Sequence, residues 1–286
     1  PGSKNETFNN KDVFFEKFDF SLKDLYRSLD YFNDFKDDIL KLIWDNTKDK
    51  YNRDTSISYY DTTNYYFEIS YNDEDLIDEN GTILEKGYRK KGPSKEHRKT
   101  PIISMGLLMD KIGIPLSYDL FPGNESEKLQ MRPALKSTKA KYGIKKTIIV
   151  ADRGQNTSDN LVFIAGKNDD DHTNHDGYVY GQSIIGADKE FKTWAISQDG
   201  FINDYVYDED GNLVTYKERI EDENGKLLRY EEKPVIFKHK SRVYAKKVKI
   251  KKDNNRKVNY TVYQKQMIYY SKQYADRQKH ERENVV

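Results

Sequence analysis

The sequence predicts an α/β protein that carries a second, β-rich unit, and three observations lead there. Residues 147–151 (Thr-Ile-Ile-Val-Ala) form a near-continuous apolar run, the pattern of a central strand buried on both faces. Hydrophobic periodicity switches from helical to alternating near residue 57. Beyond residue 188 the chain is punctuated by Asp199-Gly200, Asp210-Gly211 and Asn224-Gly225, dipeptides that mark turns between short strands. Strands, then a helix, then a buried strand ending in aspartate is an α/β order.

Each element has its own warrant. Residues 20–50 read as one packing helix, with Ser21 as N-cap, Asp24 three residues on, and Leu22, Leu25, Leu29, Phe32, Ile39 and Ile43 at helical spacing. Residues 57–61 and 65–70 read as two strands rich in Tyr, Ile and Phe. Asn80-Gly81 is a turn, 86–100 a basic loop containing Gly and Pro, and 102–109 a third strand. Lys111-Ile112-Gly113 turns the chain into a strand at 114–120. Residues 127–142 are helical and Gly143 stops them. Helix 157–166 follows the apolar strand. Strands near 201–207, 213–219, 226–231, 242–250 and 258–270 suggest a meander. The organisation expected is a helical segment over 1–56, an α/β core over 57–187, a β-rich unit over 188–271 and a charged helical segment over 272–286. Pro1-Gly2-Ser3 reads as a tag remnant, and the last segment ends without a cap, as if cut mid-element.

Composition excludes more than it assigns. The chain has no cysteine, which removes disulfides and thiolate metal sites. No apolar run approaches a membrane span and no signal peptide is visible. Charged residues make up 34% and mean hydropathy is −0.98, yet 23 Tyr and 13 Phe are too many aromatics for a disordered chain. The net charge of +1 hides an uneven distribution. Asp169, Asp170, Asp171 and Asp176 cluster in one segment, and lysines and arginines crowd residues 238–257.

Two aspartates carry the chemistry. Asp61 sits in the β-prone run Tyr59-Tyr60-Asp61-Thr62-Thr63, and Asp152 ends the apolar run before Arg153-Gly154. A carboxylate there is costly unless something compensates it, and a divalent cation is one compensation. Structural roles, capping a turn or pairing with arginine, are the alternative.

The residues around both aspartates resemble a known family. The run from Tyr60 to Glu68 resembles the first catalytic block of bacterial insertion-sequence transposases of the DDE type. So do Gly92-Pro93-Ser94-Lys95-Glu96-His97-Arg98, Gly106-Leu107-Leu108-Met109-Asp110, Gly113-Ile114-Pro115-Leu116 and Phe121-Pro122-Gly123-Asn124. Val150-Ala151-Asp152-Arg153-Gly154 is similar to their second catalytic block, and the order matches over residues 20–270. The resemblance implies a ribonuclease-H-like mixed sheet with flanking helices and a β-rich, antiparallel insertion. In that fold the first and fourth strands are neighbours. It implies Mg²⁺, or Mn²⁺, bound by Asp61 and Asp152, and DNA strand cleavage and transfer through two metal ions about 4 Å apart. Its partners would be double-stranded DNA at transposon ends and targets, with a homodimer on DNA, in the bacterial cytoplasm and at the nucleoid. The family's third carboxylate lies in a Tyr-x-x-Arg-x-x-x-Glu pattern, which Tyr274, Arg277 and Glu281 match in spacing. The helix around Glu281 is nearly all polar, however, whereas a catalytic helix needs an apolar face against the sheet. The rival expectation is a non-catalytic DNA- or protein-binding remnant of such an enzyme.

Basic residues supply the phosphate-contact candidates: Arg89, Lys90, Lys91, Lys95 and Arg98 in one loop, and Arg153 beside the second aspartate. The stretch 238–257 is another DNA-facing candidate, although Lys247-Val248-Lys249-Ile250-Lys251 equally suits an exposed strand guarded by lysines. His172, His175 and Asp176 look metal-like but lack an apolar shell, and read as a solvated loop.

Overall fold

Two units make up the chain, Pro1–Gly181 and Gln182–Val286. The computed structural model describes residues 2–93, 99–166, 175–223, 225–252 and 255–283.

In the first unit, α1 (Lys4–Asn9) and α2 (Leu22–Asp34) each open with a reciprocal cap, Ser3 with Glu6 and Ser21 with Asp24. The single helix expected over 20–50 is in fact two. The chain breaks at Phe35, and α3 (Lys36–Thr47) restarts with Asp37 and Asp38 in its first turn. Asn33 and Asp34 are poor helix formers, and acidic residues favour a helix start, so the break falls between them. Strand β1 (Ile57–Tyr66) runs unbroken through Asp61-Thr62-Thr63-Asn64, where two strands were expected. The β-branched Thr62 and Thr63 favour extended backbone and carry the strand across its polar centre.

A small hairpin follows, β2 (Leu76–Ile77) with β3 (Ile83–Glu85), turning at Gly81 with φ 82°. Next come β4 (Ile102–Met109) and β5 (Pro115–Pro122). Helix α4 (Glu127–Tyr142) stops at left-handed Gly143, whose N–H donates to the Lys139 carbonyl. Strand β6 (Ile148–Ala151), α5 (Ser158–Ile164) and β7 (Gly177–Tyr180) complete the unit. The main sheet has the order β5-β4-β1-β6-β7. β4 is antiparallel to β1 and β5, while β6 runs parallel to β1 and β7.

One face of this sheet holds the core. Tyr60, Leu108, Leu116 and Ile149 meet Met131 and Leu135 of α4 and Ile164 of α5, with Trp44 of α3 alongside. The other face is open: Tyr59 and Asp61 are exposed, Ile148 is 40% exposed and Val179 57%. The expectation that residues 147–151 are buried on both faces is therefore corrected. An apolar run states a preference on both sides, but α3, α4 and α5 all pack against the same side. A buried ion pair ties the end of β4 to the segment before β1. Arg53 Nε donates to Asp110 Oδ2 at 2.6 Å, with side chains 1% and 0% exposed.

The first element of the second unit is a helix, α6 (Lys189–Ile196), which was not expected in a β-rich unit. Asp188 caps it through the Phe191 amide at 2.8 Å. Its far end is capped by Lys240, 2% exposed, whose Nζ donates to the Trp194 and Ser197 carbonyls at 2.5 Å each. The strands form two sheets and not one meander. β8 (Ile202–Tyr205), β11 (Ile236–Lys251) and β12 (Lys257–Ser271) are ordered β12-β11-β8; β9 (Thr215–Glu221) pairs with β10 (Leu227–Pro234). Pro234, with no N–H to donate, closes β10 and separates the two ladders. Helix α7 (Lys272–Glu283) has no buried residue. No helix among the described residues is long and apolar enough to cross a membrane.

Candidate functional site

The parallel ladder between β1 and β6 pairs Tyr59 with Val150 and Tyr60 with Ala151. The ladder ends there, and Asp61 and Asp152 are the next residue along each chain. Side chains alternate along a strand, so burying Tyr60 against the core turns Asp61 to the open face. Neighbouring strands lie about 4.8 Å apart, so the two aspartates follow directly on a pair of adjacent backbone positions. Asp152 leaves the strand as the cap of a short 3₁₀ turn, and its Oδ1 accepts from the Gly154 amide at 2.8 Å. That bond fixes the direction of the carboxylate while the residue stays exposed.

The oxygen donors suit a hard cation such as Mg²⁺, which keeps several waters and needs few carboxylates. No group of three or more His, Cys, Asp or Glu side chains able to hold a metal exists among the described residues. Glu281 belongs to the second unit, and its carboxylate accepts from Arg277 Nε at 3.0 Å and Gln278 Nε2 at 2.6 Å on the same helix.

The basic loop proves to be partly committed. Arg89 pairs with Asp73 at 2.6 Å, donates a second bond to it at 2.7 Å, and lies over the Phe67 ring. Lys90 pairs with Asp75 at 2.8 Å. The Arg89 guanidinium holds the Asp73 carboxyl below the usual carboxylate range, and Lys90 does the same for Asp75. Lys91 by contrast is exposed, its amide donating to Asn72 Oδ1 at 2.7 Å. Lys95, Arg98 and His172 lie outside the described residues. Arg153 is exposed and makes no ion pair with a described residue.

Asp176 is not in a solvated loop. It bonds Lys139 at 2.6 Å and the Thr147 amide at 2.9 Å, pinning β6 and β7 to α4. His175 Nδ1 meets the Ala165 carbonyl at 2.7 Å.

Sequence reasoning missed a cleft of about 410 Å³ lined by Asn64, Ser104, Gly123, Glu127, Gly154 and other residues at the start of α4. Asn64 Nδ2 and Gln130 Nε2 are buried without a hydrogen-bond partner. Buried donors of this kind are rare and costly. Asn64 was visible in the first motif block, but only the three-dimensional structure shows that its amide lacks an acceptor. Gly123 is fixed by packing: a Cβ there would collide with the Ile102 and Lys90 carbonyls.

No family model matches the chain, and no curated protein matches it. The solved structures similar to part of it include two transposase complexes. One is a Mos1 transposase paired-end complex with left transposon end, 11% identical over 50% of this chain and 40% of that one, at a TM-score of 0.27. The other is the Mos1 mariner paired end complex with Mn, 12% identical over 53% and 44%, at a TM-score of 0.21. The chain spans less than half the length of either, and scores this low assign neither fold nor function.

Proposed function

We propose that this chain is a ribonuclease-H-like catalytic core of the DDE transposase class, acting on double-stranded DNA with Mg²⁺ or Mn²⁺. One observation carries the reading. The β1–β6 register runs to Tyr60↔Ala151, and the residues that follow on the two chains, Asp61 and Asp152, are both exposed. The sheet order, three antiparallel strands followed by two parallel ones, supports it.

Asp61 and Asp152 would hold the cation. The chemistry supplied there is activation of a water or 3′-OH and stabilisation of the leaving oxygen. The Gly154 amide keeps one Asp152 oxygen in place, so the carboxylate is oriented before any ion arrives. Arg153, the next residue, is exposed, makes no ion pair with a described residue and would contact a phosphate. Asn64 offers an amide donor to a backbone oxygen in the adjacent cleft.

The test is Mn²⁺ binding followed by electron paramagnetic resonance, beside strand cleavage of duplex DNA. Asp61→Asn and Asp152→Asn should each weaken Mn²⁺ binding by more than about tenfold, the scale on which even outer-shell partners act. Each should also remove whatever metal-dependent cleavage the wild type shows. Unchanged Mn²⁺ binding in either variant rejects the site.

A second reading, a DNA-binding protein without catalysis, is favoured by the commitment of Glu281 to Arg277 and Gln278. Efficient cleavage that disappears in Glu281→Gln would exclude it.

A further inference from the structure

The hairpin of β11 and β12 is the longest paired element in the protein, running from Phe237↔Ser271 to Lys251↔Lys257. β8 joins it only as far as His239. Beyond that point the ribbon is two-stranded and its two faces differ. One contains buried Val248, Ile250 and Val262. The other is exposed and presents Lys247, Lys249 and Lys251 from β11 with Lys257 and Lys265 from β12. Between them stand exposed Asn259, Thr261 and Tyr263.

No carboxylate lies on this part of the face among the described residues, and none of the five lysines makes an ion pair with a described residue. Lys251 directly opposes Lys257, a like-charge pair that weakens a sheet. Protecting a ribbon from aggregation does not require a single sign. The neighbouring β9–β10 ribbon mixes both signs and pairs them, Arg219 with Glu221, Arg229 with Glu231 and Lys233 with Glu218. The β11–β12 face keeps repulsion that its neighbour avoids.

We infer that the exposed face of the β11–β12 ribbon is a docking surface for the phosphate backbone of double-stranded DNA. Successive residues on one face of a strand are about 7 Å apart. Long, flexible lysine side chains at that spacing can each reach a separate phosphate of one DNA strand. Lysine is a point charge without the planar fork that reads base edges, so the contact is sequence-independent. Asn259, Thr261 and Tyr263 add neutral donors suited to phosphate oxygens.

This inference does not require Asp61 or Asp152 to be catalytic, and its test is run on the full chain in EDTA. Binding to a duplex of arbitrary sequence is measured against salt for wild type, for Lys247→Thr/Lys249→Thr/Lys265→Thr, and for the same three positions changed to Arg. Threonine is a good strand former and all three sites are exposed, so the ribbon is kept. The threonine variant should lower the slope of log K against log salt by about 2.7, at about 0.9 per lost phosphate contact. The arginine variant should retain it. Independently, duplex DNA should protect Lys247, Lys249 and Lys265 of the wild type from acetylation while leaving Lys226 reactive. An unchanged slope, loss of binding in the arginine variant, or absence of protection each overturns the inference. None of these outcomes bears on metal binding at Asp61 and Asp152.

Discussion

Removing Asp110 should destabilise the first unit more than removing either aspartate on the open face. Asp110 is fully buried and accepts from Arg53 Nε at 2.6 Å and from the amides of Ile112 at 3.2 Å and Ile114 at 2.9 Å. Asp110→Ala strands a guanidinium that is 1% exposed, and breaking a buried pair from one side costs about 3–5 kcal/mol. Arg53 keeps the Ile114 and Pro115 carbonyls and the Trp44 ring, which places this loss near the lower end. Two amides that lose an acceptor add about 1 kcal/mol. The expected loss is therefore about 4 kcal/mol, a large share of the usual 5–15 kcal/mol of a domain. Trp44 packs on Arg53 and is one of only two tryptophans, so in a Trp194→Phe background its fluorescence reports this unit alone. With a urea m-value of about 2 kcal/mol/M, the midpoint should fall by about 2 M. A fall below about 0.5 M would refute the reasoning. So would a double variant, Arg53→Met/Asp110→Leu, that is no more stable than the sum of its single changes predicts.

Other consequences can be measured directly. Arg153→Ala should reduce the salt slope of DNA binding by about 0.9, whereas Arg89→Ala should leave it nearly unchanged, because Arg89 is already neutralised by Asp73; equal slopes for the two variants would contradict this. Acid should loosen the segment between Asp73 and Arg89. Both Asp73 and Asp75 are held below their ordinary value of 3.8, so their contribution is complete above that value and fades as pH falls through the depressed values. The Gly87 and Arg89 amides, which donate to Asp75 and Asp73, should then lose exchange protection relative to the core amides, and retained protection would speak against the pairing.

Much of this was legible in the chain. The helix ending at Gly143 was marked by a left-handed glycine, and the strand ending at Asp152 by its apolar run. Local signals of this kind depend on a few adjacent residues. What escaped depended on distant ones. The break at Phe35 required weighing Asn33 and Asp34 against a continuous apolar stripe. The open face of β6 could not be read from Ile148 and Val150, because composition does not say on which side helices will pack. Arg89 looked available for phosphate until Asp73, sixteen residues earlier, was found against it. Asp110 stood in a motif beside Asp61, and only its burial separates an anchor of the fold from a residue placed for chemistry.

That separation has an evolutionary consequence. Asp61 and Asp152 are exposed, so replacing either strands no buried charge, and asparagine could replace Asp152 as a turn cap. Asp110 is held by stability itself. In copies of this gene released from selection on activity, the two exposed aspartates should drift first while Asp110 persists and the protein still folds. A lineage that keeps all three is one in which something other than stability is being preserved.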